Sequence, residues 1–117
     1  MVRFIIVTLL LLLPIPAISE SPVLSGREVY GGCRNFALGT DREQFYQGVC
    51  AGIIDDLAYY RWMLPEDMTY CPPEGISLGQ AVRTVVDYMD SRPEILHEDF
   101  RGIAISALRV AWPCPVP

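Results

Sequence analysis

Few side chains in this sequence could do chemistry. Cys33, Cys50, Cys71 and Cys114, the lone His97 and the adjacent pair Asp55-Asp56 are the candidates among 117 residues, and all nine basic residues are arginines. Thiolates attack electrophiles and bind metals, and a zinc site needs cysteine or histidine ligands in closely spaced pairs. The cysteine intervals are 17, 21 and 43 residues, no CxxC pair occurs, and His97 has no cysteine near it. Successive helical residues diverge by about 100°, so Asp55 and Asp56 do not converge on one substrate. They read as a solvated edge or as an anionic contact for a cationic partner. His97 reads as a surface or capping residue. Without a GxSxG, an HExxH or a phosphate-cradling glycine loop, the expectation is a protein that is not an enzyme and holds no metal or cofactor.

Composition narrows the alternatives. A formal charge of −5 and a pI near 4.7 do not suit a nucleic-acid partner, which is held by clustered cations that release counterions. A chain that is 51% apolar has too much hydrophobic surface to remain disordered. Some of that surface belongs to the first residues. Arg3 precedes an apolar run from Phe4 to Leu13 broken only by Thr8, then come Pro14, Pro16 and Ala17-Ile18-Ser19. This is the pattern of a cleavable secretory signal over residues 1–19. A run of about ten apolar residues is short for a spanning helix, which needs roughly 20; an uncleaved N-terminal anchor is the competing reading. Removing the segment leaves residues 20–117 and takes the formal charge to −6 by loss of Arg3. No later stretch is long enough to span a membrane, so the expected location is periplasmic or secreted. An even number of cysteines in a small exported chain then implies disulfides.

The elements that position these residues are helical. The spacing predicts a first helix over about 25–36, with Ser25 as N-cap and Val29, Cys33 and Phe36 facing inward, weakened by Gly31-Gly32. A second runs over about 41–61 behind a Thr40/Glu43 capping box. Its expected apolar face is Phe45, Val49, Ile53, Leu57 and Tyr60. Gly48 and Gly52 on this helix suggest a close approach by another helix. Pro65, Pro72 and Pro73 exclude regular helix between Trp62 and Gly75. A third helix follows a Ser77/Gln80 capping box over about 78–90, with Leu78, Val82, Val85, Val86 and Met89 inward. A fourth starts near Pro93 behind a Ser91/Glu94 pair, and its stripe runs from Leu96 through Phe100, Ile103, Ala104, Ala107 and Leu108 to Ala111. The expected architecture is a single all-α domain, a disulfide-stapled bundle of about four helices.

In an antiparallel bundle, alternate helix ends meet at one pole. Cys33 and Cys50 fall toward one pole and Cys71 and Cys114 toward the other, so the favoured pairing is Cys33–Cys50 with Cys71–Cys114. Crossing helices would favour Cys50–Cys71 with Cys33–Cys114. The remaining chemistry is recognition. Tyr59-Tyr60-Arg61-Trp62 joins the three residue types most enriched at binding hot spots and leads into a loop carrying Glu66 and Asp67. Aromatic residues at a helix end also serve to cover a core.

Several motifs, in this order, resemble the Rap/Tai-type immunity family, small exported bacterial helical proteins that neutralise peptidoglycan amidases delivered by type VI secretion. They are Cys33 in YGGCRNF, Gly48-Val49-Cys50-Ala51-Gly52, Cys71-Pro72-Pro73-Glu74-Gly75 followed by a capped helix with Gln80, the Pro93-Glu94 turn with His97, and the ending Ala111-Trp112-Pro113-Cys114. The stretch Ile53-Ile54-Asp55 departs from the family's usual tyrosine and glycine, and the 62–68 loop is not distinctive of it.

The resemblance implies a steric mechanism. A dimer would bind a cognate effector, a peptidoglycan amidase, in the periplasm and plug its cleft with a loop. A negative chain suits capture of a cationic toxin, and Tyr59, Arg61, Trp62, Glu66 and Asp67 are the expected contacts. Two alternatives stand beside this one. A small acidic periplasmic chaperone would use protonation of its fourteen carboxylates as a switch. A structural envelope subunit would fit on size and export alone.

Overall fold

The computed structural model describes residues 14–16 and 24–116; the signal segment expected over 1–19 otherwise lies outside the described residues. Among the described residues four helices form: α1 (Gly26–Leu38), α2 (Gln44–Tyr60), α3 (Leu78–Asp90) and α4 (Phe100–Ala111). Short 3-10 turns at Arg61–Met63 and Pro93–Ile95 extend α2 and follow α3. Among the described residues there are no strands, only one isolated bridge between Ser25 and Asp99. No described helix is long and apolar enough to cross a membrane.

α1 and α3 sit at the centre, with α2 packed mainly on α1 and α4 mainly on α3. The core they enclose includes Val29, Cys33, Cys50, Ile54, Val82, Val85, Phe100 and Leu108, all fully buried. Cys33 is bonded to Cys50 with Cα atoms 5.4 Å apart, and Cys71 to Cys114 at 4.8 Å. The first bond ties α1 to α2 inside the core. The second closes the loop before α3 onto the segment after α4, and the Cys71 amide donates to the Trp112 carbonyl at 2.8 Å.

Two N-caps follow the sequence pattern. Ser25 Oγ accepts from the Glu28 amide at 3.3 Å. Ser77 and Gln80 form a reciprocal capping box, with bonds of 3.1 and 2.9 Å. Ser77→Ala removes the acceptor for an otherwise orphan helical N–H. It is expected to lower stability by about 1 kcal/mol, read from the midpoint of chemical unfolding at unchanged slope.

The other two expected boxes do not form. α2 begins at Gln44, and its N-cap Glu43 has a left-handed backbone, φ 53°, without a side-chain cap. Its carboxylate turns back to α1, where Asn35 Nδ2 donates to Oε2 at 3.0 Å, while the Thr40 hydroxyl donates to Asn35 Oδ1 at 2.6 Å. Gln47 Nε2 closes the corner by donating to the Thr40 and Arg42 carbonyls at 2.8 and 2.7 Å. A tertiary contact to Asn35 therefore replaces the local cap. Ser91 ends α3 instead of starting α4, its hydroxyl donating to the Asp87 and Tyr88 carbonyls. The N-cap of α4 is Asp99, which accepts from the Arg101 amide at 2.8 Å. The intervening turn is held by the start of α1: the Gly26 and Arg27 amides donate to the Glu98 and Leu96 carbonyls, and Phe100 N–H to the Leu24 carbonyl. Pro93 and Glu94 thus sit in this connector, as does the exposed His97.

The close helix approach expected at Gly48 and Gly52 is found elsewhere. Both positions on α2 face open space within the chain. The approach is made by α1. A Cβ on Gly32 would collide with the backbone carbonyl of Tyr46, with Tyr46 Cβ 2.5 Å away, and one on Gly31 would collide with the Glu43 carboxylate. The glycine pair that weakens α1 as an isolated helix is what lets α2 lie against it.

Candidate interaction surface

The C-terminal end of α2 carries the largest run of exposed apolar side chains among the described residues. Tyr59 is 69% exposed, Trp62 74% and Met63 62%, with Tyr60 and Met68 also exposed. Two of them pair: the rings of Tyr59 and Tyr60 meet edge to face at 4.8 Å. These side chains do not cover the core. The core face of α2 runs through Cys50 and Ile54, which turns Tyr59 and Trp62 toward solvent. Monomeric proteins expose few large apolar patches, and those they do expose mark interaction sites.

The segment that follows is short of regular structure but tied down. The Met68 and Thr69 amides donate to the Pro65 carbonyl at 2.8 and 3.0 Å, and the Leu64 amide to the Arg61 carbonyl. The Thr69 hydroxyl donates to the Arg61 carbonyl at 2.6 Å. Next come Tyr70, which is 3% exposed, and the Cys71–Cys114 bond. The loop is therefore clamped at both ends, by α2 and by the disulfide. A surface ordered before binding loses less entropy on association.

The five expected contact residues do not all share one face. Tyr59, Trp62, Glu66 and Asp67 are exposed, whereas Arg61 is half-buried and its Nη1 donates to the Ala58 carbonyl at 3.0 Å. Arg61 thus serves the end of α2. Glu66 lines a shallow hollow with Thr69, Arg109 and the Pro113–Val116 segment. The expected contacts leave out Met63, Met68 and Tyr60, the last placed by its spacing on the apolar face of α2, and all three are exposed beside them. The signal for Tyr60 was available in the cysteines: once Cys50 fixes the inward face, Tyr60 falls off it.

Beside this surface is a groove of about 260 Å³ at the Cys71–Cys114 pole. Ile54 and Ala58 of α2, Arg61 of the turn that extends it, Tyr70, the Pro72–Ser77 loop, the start of α3 and Trp112 line it. Tyr70 and Trp112 stand with ring centroids 6.5 Å apart and planes tilted by 32°. Burial pushes the Tyr70 phenol above its usual range, against a smaller opposing effect of the Arg61 charge. The volume is below the roughly 300–1,000 Å³ of small-molecule and cofactor sites. Among the described residues there is no group of three or more side chains able to hold a metal.

The arrangement suits protein recognition: exposed aromatic and thioether side chains, a braced loop and a small groove. No curated protein and no solved structure matches the chain. The model of one protein family, the Rap1a immunity proteins, matches residues 25–114. That span runs from the Ser25 cap of α1 to Cys114 and holds the four described helices and both disulfides. The chain belongs to the Rap1a immunity protein family.

Proposed function

We propose that this immunity protein is exported and binds a peptidoglycan amidase effector in the periplasm, blocking its cleft by occupancy and not by chemistry. The observation that carries the proposal is the exposed aromatic and methionine surface between Tyr59 and Met68, on a loop braced by Cys71–Cys114. The family match supports a partner effector. Peptidoglycan amidase as the partner follows from the family resemblance in the sequence. The signal-like segment over 1–19 supports export. An acidic inhibitor gains encounter rate with a cationic toxin through long-range attraction.

Trp62 is the expected anchor, because it is the largest exposed aromatic side chain on the surface. Trp62→Ala is expected to weaken effector binding by about 2 kcal/mol or more, a loss of roughly 30-fold, typical of a hot spot. Thermal stability should be unchanged, since the side chain contributes little to the core. Titration calorimetry with the purified effector, alongside a melting curve, reads both quantities. Binding that is unaltered by Trp62→Ala removes this surface from the interface.

A further inference from the structure

The groove at the Cys71–Cys114 pole has its own chemistry. Its floor and walls are apolar and aromatic, with Ile54, Ile76, Tyr70 and Trp112 among the lining residues. Its charged members are Asp55, Glu74 and Arg61. Both carboxylates are exposed. The ion pair present among the described residues, Arg101–Asp99, lies elsewhere, so neither acid is held in a direct ion pair, and the two carboxylates outnumber Arg61. Arg61 is already engaged with the Ala58 carbonyl. Tyr70 is 97% withdrawn from solvent. Among the described residues no sealed side-chain nitrogen or oxygen lacks a partner, and Tyr70 lines the groove.

We infer that this groove receives one arginine side chain from the effector. The inference rests on the immunity reading above and names the chemistry of the contact. The groove is small enough to be filled by a single long side chain. The guanidinium is planar, weakly hydrated and permanently charged, so it stacks on aromatic faces and still pairs with carboxylates. Its methylene stem lies on apolar surface while the head group reaches the rim. Trp112, which is only partly buried, supplies the face, Asp55 and Glu74 the counter-charges, and Ile54 and Ile76 the apolar walls. The groove adjoins the end of α2 through Ala58 and Arg61, so one partner can cover it together with the Tyr59–Met68 surface. An acidic side chain is disfavoured there, because the two carboxylates outnumber Arg61.

The test uses the oxidised protein without its leader and does not depend on having the effector. N-acetyl-L-argininamide is titrated while the two indole N–H signals are followed by NMR, with the uncharged isostere N-acetyl-L-citrullinamide as control. The expected result is a saturable shift of Trp112 with Trp62 unmoved. Binding by the citrulline compound should be at least tenfold weaker. The pair Asp55→Asn and Glu74→Gln should weaken argininamide binding at least fivefold without lowering the melting temperature. Equal binding of both compounds, or no saturable shift of Trp112, overturns the inference. With a purified amidase effector, the same double variant should lose affinity. Unchanged affinity there would also overturn it, even while inhibition by the unaltered protein leaves the immunity reading standing. Conversely, absence of any amidase partner sinks that reading and leaves the argininamide result intact.

Discussion

Replacing Gly32 by alanine is expected to destabilise the protein by about 3 kcal/mol, at the upper end of what overpacking costs. In an exposed helix interior the same change would be favourable by roughly 1 kcal/mol, because alanine is the better helix former. The sign reverses here because the added Cβ meets the backbone carbonyl of Tyr46, which has no rotamer by which to withdraw. Relief requires α2 to move away from α1. That movement would strain the Cys33–Cys50 bond, both of whose residues are fully buried. Gly52→Ala supplies the control, since nothing lies within 4 Å of the position its Cβ would occupy. It should raise stability by about 0.5–1 kcal/mol. Urea unfolding of the two variants side by side reads the difference, and two changes of the same sign would contradict the packing described for α1 and α2.

The second large effect belongs to the Cys71–Cys114 bond. It closes 43 residues, including all of α3 and α4. On the chain-entropy account, a loop of that size is worth about 4 kcal/mol, against about 3 kcal/mol for the 17-residue Cys33–Cys50 loop. The paired substitution Cys71→Ser and Cys114→Ser is expected to lower stability by that larger amount and to loosen the Tyr70–Trp112 contact beside it. Cys71 is exposed, whereas Cys33 and Cys50 are fully buried. Gentle reduction should therefore open the outer bond first, which mass spectrometry after alkylation would show. Loss of the buried bond first would contradict the burial of Cys33 and Cys50.

The fold was legible in the sequence where local signals and core packing agreed. α3 is the clearest case: the Ser77/Gln80 box and the stripe through Val82, Val85, Val86 and Met89 both hold. Helix starts were misread where a tertiary partner outbid a local cap. Glu43 follows Thr40 at capping-box spacing, but its carboxylate is taken by Asn35, eight residues back on α1. Asp99 caps α4 with Gly102 at the third helical position, so no capping-box pattern marks it. Pro93 and Glu94 gave a stronger local pattern seven residues too early.

The face of α2 shows a different lesson. Phe45, Val49, Ile53, Leu57 and Tyr60 have a good helical period, yet Phe45 is 74% exposed and Tyr60 about half exposed. The buried pair is Cys50 and Ile54, one step round the helix. Hydrophobic period alone cannot choose between adjacent stripes on a helix this apolar, whereas a core disulfide can. The interaction surface was partly legible for the same reason. Trp62 and Tyr59 drew attention by residue type, but their exposure depends on which stripe the cysteine turns inward. Arg61 looked like a contact by type and is instead held by the Ala58 carbonyl. The glycines were read in reverse. Gly31-Gly32 looked like weakness and makes the closest helix contact, while Gly48 and Gly52 looked like a contact and are open.

The account rests on the claim that the Tyr59–Met68 surface occupies an amidase. The most direct measurement is hydrolysis of peptidoglycan by a candidate amidase effector, with increasing amounts of the oxidised protein, residues 20–117. The account predicts complete inhibition near equimolar protein, and a shift of the inhibition curve by roughly 30-fold for Trp62→Ala, the size of one hot spot. Undiminished amidase activity at saturating protein, or inhibition to which Trp62 is indifferent, would contradict it.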